Sequence, residues 1–133
     1  MVKMPKEVKD MIGDPGASRT LATVDADGMV ICVPIGTFSA IDDETIVFAD
    51  VFLGKTKENL EATKKASVTV WKGMNGYQVK GEFQGFQTSG DLFEKVAKQV
   101  KDALKLDIKA VGTIKAKEIY DISVGPDAGK KIA

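Results

Sequence analysis

Between Thr20 and Ala49 the chain reads TLATV, DADG, MVICVPIGTFSA, IDDE and TIVFA. Three apolar, β-branched runs are separated by two short turns rich in Asp and Gly. Runs of this kind form strands, and an Asp-Gly turn of this length joins neighbours as a hairpin. A chain that reverses after every run is committed to an antiparallel sheet. The second run, Val30 to Ala40, carries Pro34 and Gly36 inside it. Proline cannot donate to a strand ladder. Its presence marks an edge, a bulge, or a place where a ligand takes the position of a neighbouring strand.

The rest of the chain extends this pattern. Ser67–Trp71 reads as a strand, Lys72–Gly76 as a loop, and Tyr77–Thr88 as a strand. Tyr77, Val79, Gly81 and Phe83 share one face, and Gln78, Lys80, Glu82 and Gln84 the other. Ala110–Val124 is a long final strand. Three segments are helical. Pro5–Ile12 is short, and Lys55–Ala66 is charged, with Thr56 as a candidate N-cap. Asp91–Leu106 carries a stripe of Phe93, Val96, Ala97, Val100, Ala103 and Leu104. Six or seven strands with short connections in one small domain, residues 1–133, favour a barrel.

Composition narrows the function. Lys plus Arg and Asp plus Glu both number 19, so the formal net charge is zero. Such a chain has no electrostatic footprint for nucleic acid or an anionic membrane surface. Its apolar runs fall far short of a membrane span, and MVKMPKEVKDMIGDPG lacks the apolar centre of a signal peptide. A cytoplasmic location is expected. Cys32, the single cysteine, excludes an internal disulfide and reads as a buried strand thiol. There is no histidine. That removes the commonest general base, the commonest metal ligand and every Ser-His or Cys-His nucleophile. No metal site and no catalytic residue can be assigned, and chemistry, if any, is expected to come from a cofactor.

The stretch ADVFLGKT, Ala49 to Thr56, loosely matches a nucleotide phosphate loop. Such loops use glycines so that backbone N–H groups can curl around a polyphosphate. Here the first position is Ala49 and the interior is Asp50-Val51-Phe52-Leu53, which is bulky and acidic. A triphosphate is therefore rejected. Lys55 and Thr56 still stand where a helix begins, and a helix N-terminus suits a single phosphate. The bland alternative is a solvated lysine beside a capping threonine.

The order of TLATVDADGMVICVPIG, IDDETIVFA, GKTKENL and YQVKGEF resembles the flavin mononucleotide (FMN)-binding split barrels related to pyridoxamine 5′-phosphate oxidase, over about Arg19 to Thr88. The closing EIYDISVGP also suits that family. The resemblance implies a mainly β fold, an antiparallel split β-barrel with two to three peripheral α-helices. It implies FMN as cofactor, with Lys55 and Thr56 on its phosphate. It places Val33, Pro34, Ile35, Gly36, Ala49, Asp50, Val51 and Phe52 along the ring. It further implies a homodimer with FMN near the subunit interface, exchanging electrons with a small-molecule donor or acceptor. Members that oxidise pyridoxamine phosphate use an arginine and a histidine on the substrate. This chain has no histidine and only Arg19, which argues against that activity. A deazaflavin-binding relative and a non-redox module for a phosphorylated small molecule are the alternatives. The glycine-rich end, Gly125–Lys131, reads as a tail, and Trp71 and Tyr77 as core or rim.

Overall fold

The computed structural model describes residues 1–133. Its strands are β1 (Ser18–Val24), β2 (Val30–Pro34), β3 (Ser39–Ala40), β4 (Thr45–Asp50), β5 (Lys65–Lys72), β6 (Asn75–Gln87), β7 (Ala110–Asp121) and β8 (Lys130–Lys131). Three helices, α1 (Lys6–Ile12), α2 (Lys55–Thr63) and α3 (Asp91–Leu104), complete it. All strands join one antiparallel sheet in the order β2-β1-β5-β6-β7-β4-β3, with β8 on β7. β2 and β3 bond no further strand, so the sheet curls without closing. This is a split barrel. No helix is long and apolar enough to cross a membrane.

The first hairpin falls where the Asp-Gly turn places it. Val24 pairs with Val30, and Asp25 Oδ1 accepts the amides of Asp27 and Met29. The run Val30–Ala40 is not one strand. It breaks after Pro34 and resumes at Ser39, which leaves Ile35–Phe38 as a connecting segment on the open side of the sheet. Cys32 lies on the outer face of this edge strand and is exposed, not buried. The glycine-rich end is not a free tail. Lys130 and Lys131 pair with Asp121 and Tyr120, and Ala133 O accepts the Ile119 amide.

β4 is buried along its whole length. Its two faces serve two cores. Ile46 and Phe48 point into the barrel, among Leu21, Val68, Val79, Phe83 and Ile114. Val47 and Ala49 point outward and pack with Val111 against Val96 and Val100 of α3. The helical stripe thus covers the outer face of β4 and β7, which explains why TIVFA is apolar without alternation. In β6, alternation holds from Tyr77 to Phe83. A register shift between Phe83 and Gly85, with Gly85 at φ 114°, then lets Phe86 pack on the same core.

α2 is docked by polar contacts. Asn59 is buried and its Nδ2 donates to Thr23 Oγ1 at 3.2 Å. The Thr63 hydroxyl donates to Val24 O at 2.9 Å, and Leu60 is fully buried. The N-L of K-T-x-x-N-L therefore fixes where α2 begins relative to β1.

Candidate functional site

The break in the second run creates a wall. Ile35–Phe38 crosses the open side of the barrel and faces the chain that leaves β4. Between them lies a cleft of about 200 Å³. One side is Pro34, Ile35, Gly36 and Thr37. The other is Ala49, Val51, Phe52 and Leu53, and Leu104 and Leu106 at the end of α3 close it. Six of the residues expected along the ring are thus brought together: Pro34, Ile35, Gly36, Ala49, Val51 and Phe52. Phe52 stands at the mouth and is 82% exposed, which is unusual for so large an apolar side chain.

The other expected residues lie around this cleft. Val33 is half-buried and pairs with Leu21 in the β1–β2 ladder. Asp50 follows Ile46 and Phe48 on the inward face of β4 and is buried at the barrel end. Lys57 Nζ lies 3.2 Å from its Oδ2, an ion-pair distance without hydrogen-bond alignment, and 5.2 Å from the Phe86 ring centroid. Lys55 is exposed, 3.8 Å from Glu58. Thr56 is fully buried and its Oγ1 has no hydrogen-bond partner.

Thr56 is not the N-cap of α2. That position is Gly54, at φ 56°, and no side chain caps the helix. The amide of Thr56 bonds Leu53 O and that of Lys57 bonds Gly54 O, while the amides of Gly54 and Lys55 find no acceptor in the chain. An uncapped helix end with free N–H groups and an adjacent lysine has the chemistry of a monophosphate site. It follows directly in the chain on Phe52 and Leu53, which line the cleft, so an apolar wall leads into a cationic helix end. A planar ring joined to a single phosphate matches that donor set.

Thr37, Leu53, Leu104 and Leu106 are not among the expected residues. Thr37 has a definite role, since its Oγ1 accepts the Ala49 amide at 3.0 Å and ties the two walls together. Its signal was only its place after Pro34-Ile35-Gly36. The two leucines reach the cleft through the docking of α3, which depends on contacts distant in sequence.

Comparison with known proteins bears on the family and the fold. The family model described as pyridoxamine 5′-phosphate oxidase matches residues 4–123. An uncharacterised protein of Methanocaldococcus jannaschii is 36% identical over 119 residues, 85% of this chain and 78% of that protein. An FMN-binding protein from Syntrophomonas wolfei has the same fold, with a TM-score of 0.84 and 24% identity, over 90% of this chain and 86% of that one. HupZ of Group A Streptococcus gives a TM-score of 0.80 and 28% identity, over 97% and 100%. With a family match across nearly its full length and an open antiparallel barrel to go with it, the chain belongs to the pyridoxamine 5′-phosphate oxidase family.

Proposed function

We propose that the protein binds FMN and works as an oxidoreductase or electron carrier toward a small-molecule partner. The observation that carries this reading is the continuity of the apolar cleft with the uncapped N-terminus of α2. The ring lies between Pro34-Ile35-Gly36 and Ala49-Val51-Phe52. The phosphate meets the Gly54 and Lys55 amides and the Lys55 ammonium. Val33, Asp50 and Thr56 support these contacts from behind: Val33 in the ladder, Asp50 through Lys57, and Thr56 beneath the helix end. Bound FMN supplies the electron-transfer chemistry, and the chain orients the ring and keeps water from one of its faces. Histidine ligation of a haem is not open to a chain without histidine.

The test is a titration of purified, ligand-stripped protein with FMN, riboflavin and a deazaflavin, read by fluorescence. FMN is expected to bind tightest, and the loaded protein to show flavin absorption bands. If none of the three flavins binds, the reading fails. Tight binding of a colourless phosphorylated compound in their place would favour the non-redox module.

FMN also calls for a second copy. Sites that bury a ligand of this size usually enclose about 300–1,000 Å³, and this cleft is smaller. Phe52 at its mouth and the half-exposed Leu104 are left wet in a single chain. A homodimer is expected by sedimentation, and a monomer that holds FMN tightly would overturn it.

A further inference from the structure

Arg19 is the only arginine, and it forms no ion pair. Its guanidinium donates to three carbonyls instead. Nη1 reaches Ile12 O at 3.1 Å and Phe38 O at 3.2 Å, and Nη2 reaches Gly36 O at 3.0 Å. Its own carbonyl accepts the Ile35 amide at 3.0 Å. Burial pushes the guanidinium below its ordinary pKa, and nearby Asp14 partly offsets this. An arginine remains protonated all the same. One cation thus gathers the carbonyls of the cleft wall and ties them to the end of α1.

This has a directional consequence. In a trans peptide the C=O and the following N–H point in opposite directions, and the chain has no cis peptide. With Gly36 O turned to Arg19, the Thr37 N–H points away from it. Gly36 and Thr37 line the cleft, whereas Arg19 does not. The amides of Gly36, Thr37 and Phe38 have no acceptor within the chain. A peptide whose carbonyl accepts a charged donor also becomes a stronger donor at its N–H.

We propose that Arg19 is a positioning residue that holds the Gly36–Thr37 peptide with its N–H aimed into the cleft, as a polarised donor to an acceptor atom on the edge of a bound flavin ring. The inference rests on the flavin reading and adds to it which residue orients the ring-facing backbone. Hydrogen bonds and charge near the ring nitrogens tune a flavin's electronics. Reduction raises electron density on N1 and the ring carbonyl oxygens, which remain acceptors, so a donor to one of them favours the reduced ring more than the oxidised one.

The experiment compares wild type, Arg19→Lys and Arg19→Gln. Arg19→Gln is expected to weaken FMN and riboflavin alike, by roughly tenfold, because the ring and not the phosphate loses its donor. It should weaken reduced FMN further, seen as a more negative midpoint potential of the bound flavin. Arg19→Lys keeps the charge without the fork and should fall between. Amide NMR gives a readout that needs no variant: the Thr37 proton of wild type should move downfield when FMN is added. Unchanged potential and affinity in folded Arg19→Gln would overturn the proposal. So would a wild-type Thr37 amide indifferent to FMN, which decides the matter even if the variants fail to fold. A wild type that binds no flavin would instead remove the functional reading itself, and this proposal with it.

Discussion

Gly112→Ala is expected to destabilise the fold by about 3 kcal/mol, near the upper end for overpacking a core. Gly112 lies in β7 directly opposite Phe48 of β4 and Phe86 of β6. A methyl group there would stand 2.4 Å from Phe48 Cζ and within 2.9 Å of two further ring atoms. Contacts that short force a shift. The ring has nowhere to go, because Phe48 is fully buried and packs against Phe38, Phe83 and Phe86 at centroid distances of 6.1, 6.3 and 6.1 Å. Tightly packed interiors pass such strain on to their neighbours. The melting temperature should fall by roughly 10 °C. A double-mutant cycle identifies the cause. Phe48→Leu removes the ring atoms that clash, so Gly112→Ala should cost at least about 1 kcal/mol less in that background. Equal costs in both backgrounds would show that the aromatic ring is not what requires glycine.

That requirement marks a boundary of what the amino-acid sequence displays. Strand positions and the antiparallel plan follow from local rules: β-branched runs, Asp-Gly turns, and the alternation from Tyr77 to Phe83. The covered outer face of β4 also left a trace, since TIVFA is apolar without alternation and Asp91–Leu104 carries a matching stripe. Gly112 gave no such trace, because its constraint comes from Phe48, 64 positions away in the chain and paired with it only in the sheet. The break of the second run at Pro34 was half visible. The proline announces it, but the Arg19 bonds that hold the segment after it are long-range. The same holds for the cleft. Its walls lie in two short stretches flagged by proline and by Gly-Lys-Thr, while Leu104 and Leu106 arrive through tertiary packing. Thr56 illustrates the opposite failure. A threonine at a helix start suggests a capping hydroxyl, yet Gly54 occupies the N-cap and Thr56 turns inward. Side-chain direction one residue into a helix is set by the angle at which the helix docks, here by Asn59 and Leu60.

Lys55→Ala is expected to weaken FMN by roughly ten- to a hundredfold while leaving riboflavin nearly unchanged. A charge-assisted hydrogen bond is worth about 1.5–3 kcal/mol, which corresponds to that loss. The amides of Gly54, the N-cap, and of Lys55, the first residue of α2, are free, and Lys55 is the cation nearest to them in sequence. It is exposed, and its only carboxylate neighbour, Glu58, is 3.8 Å away and itself exposed, so the present pair is weak. A phosphate at the helix end would compete for Lys55 with little loss. Three comparisons isolate that contact. Riboflavin has the ring without the phosphate, so its affinity should start lower and respond little to the substitution. Glu58→Gln frees the ammonium and should hold or raise FMN affinity. Added salt should erode the advantage of FMN over riboflavin in wild type and much less in Lys55→Ala, because a surface ion contact is screened. Lys57, the neighbouring lysine, is engaged with Asp50 and Phe86, so Lys57→Ala should act mainly on stability. If Lys55→Ala weakens riboflavin as much as FMN, the lysine serves the ring wall and the phosphate lies elsewhere. If it changes neither, the helix end takes no part in binding, and the cleft alone would have to account for any flavin the protein holds.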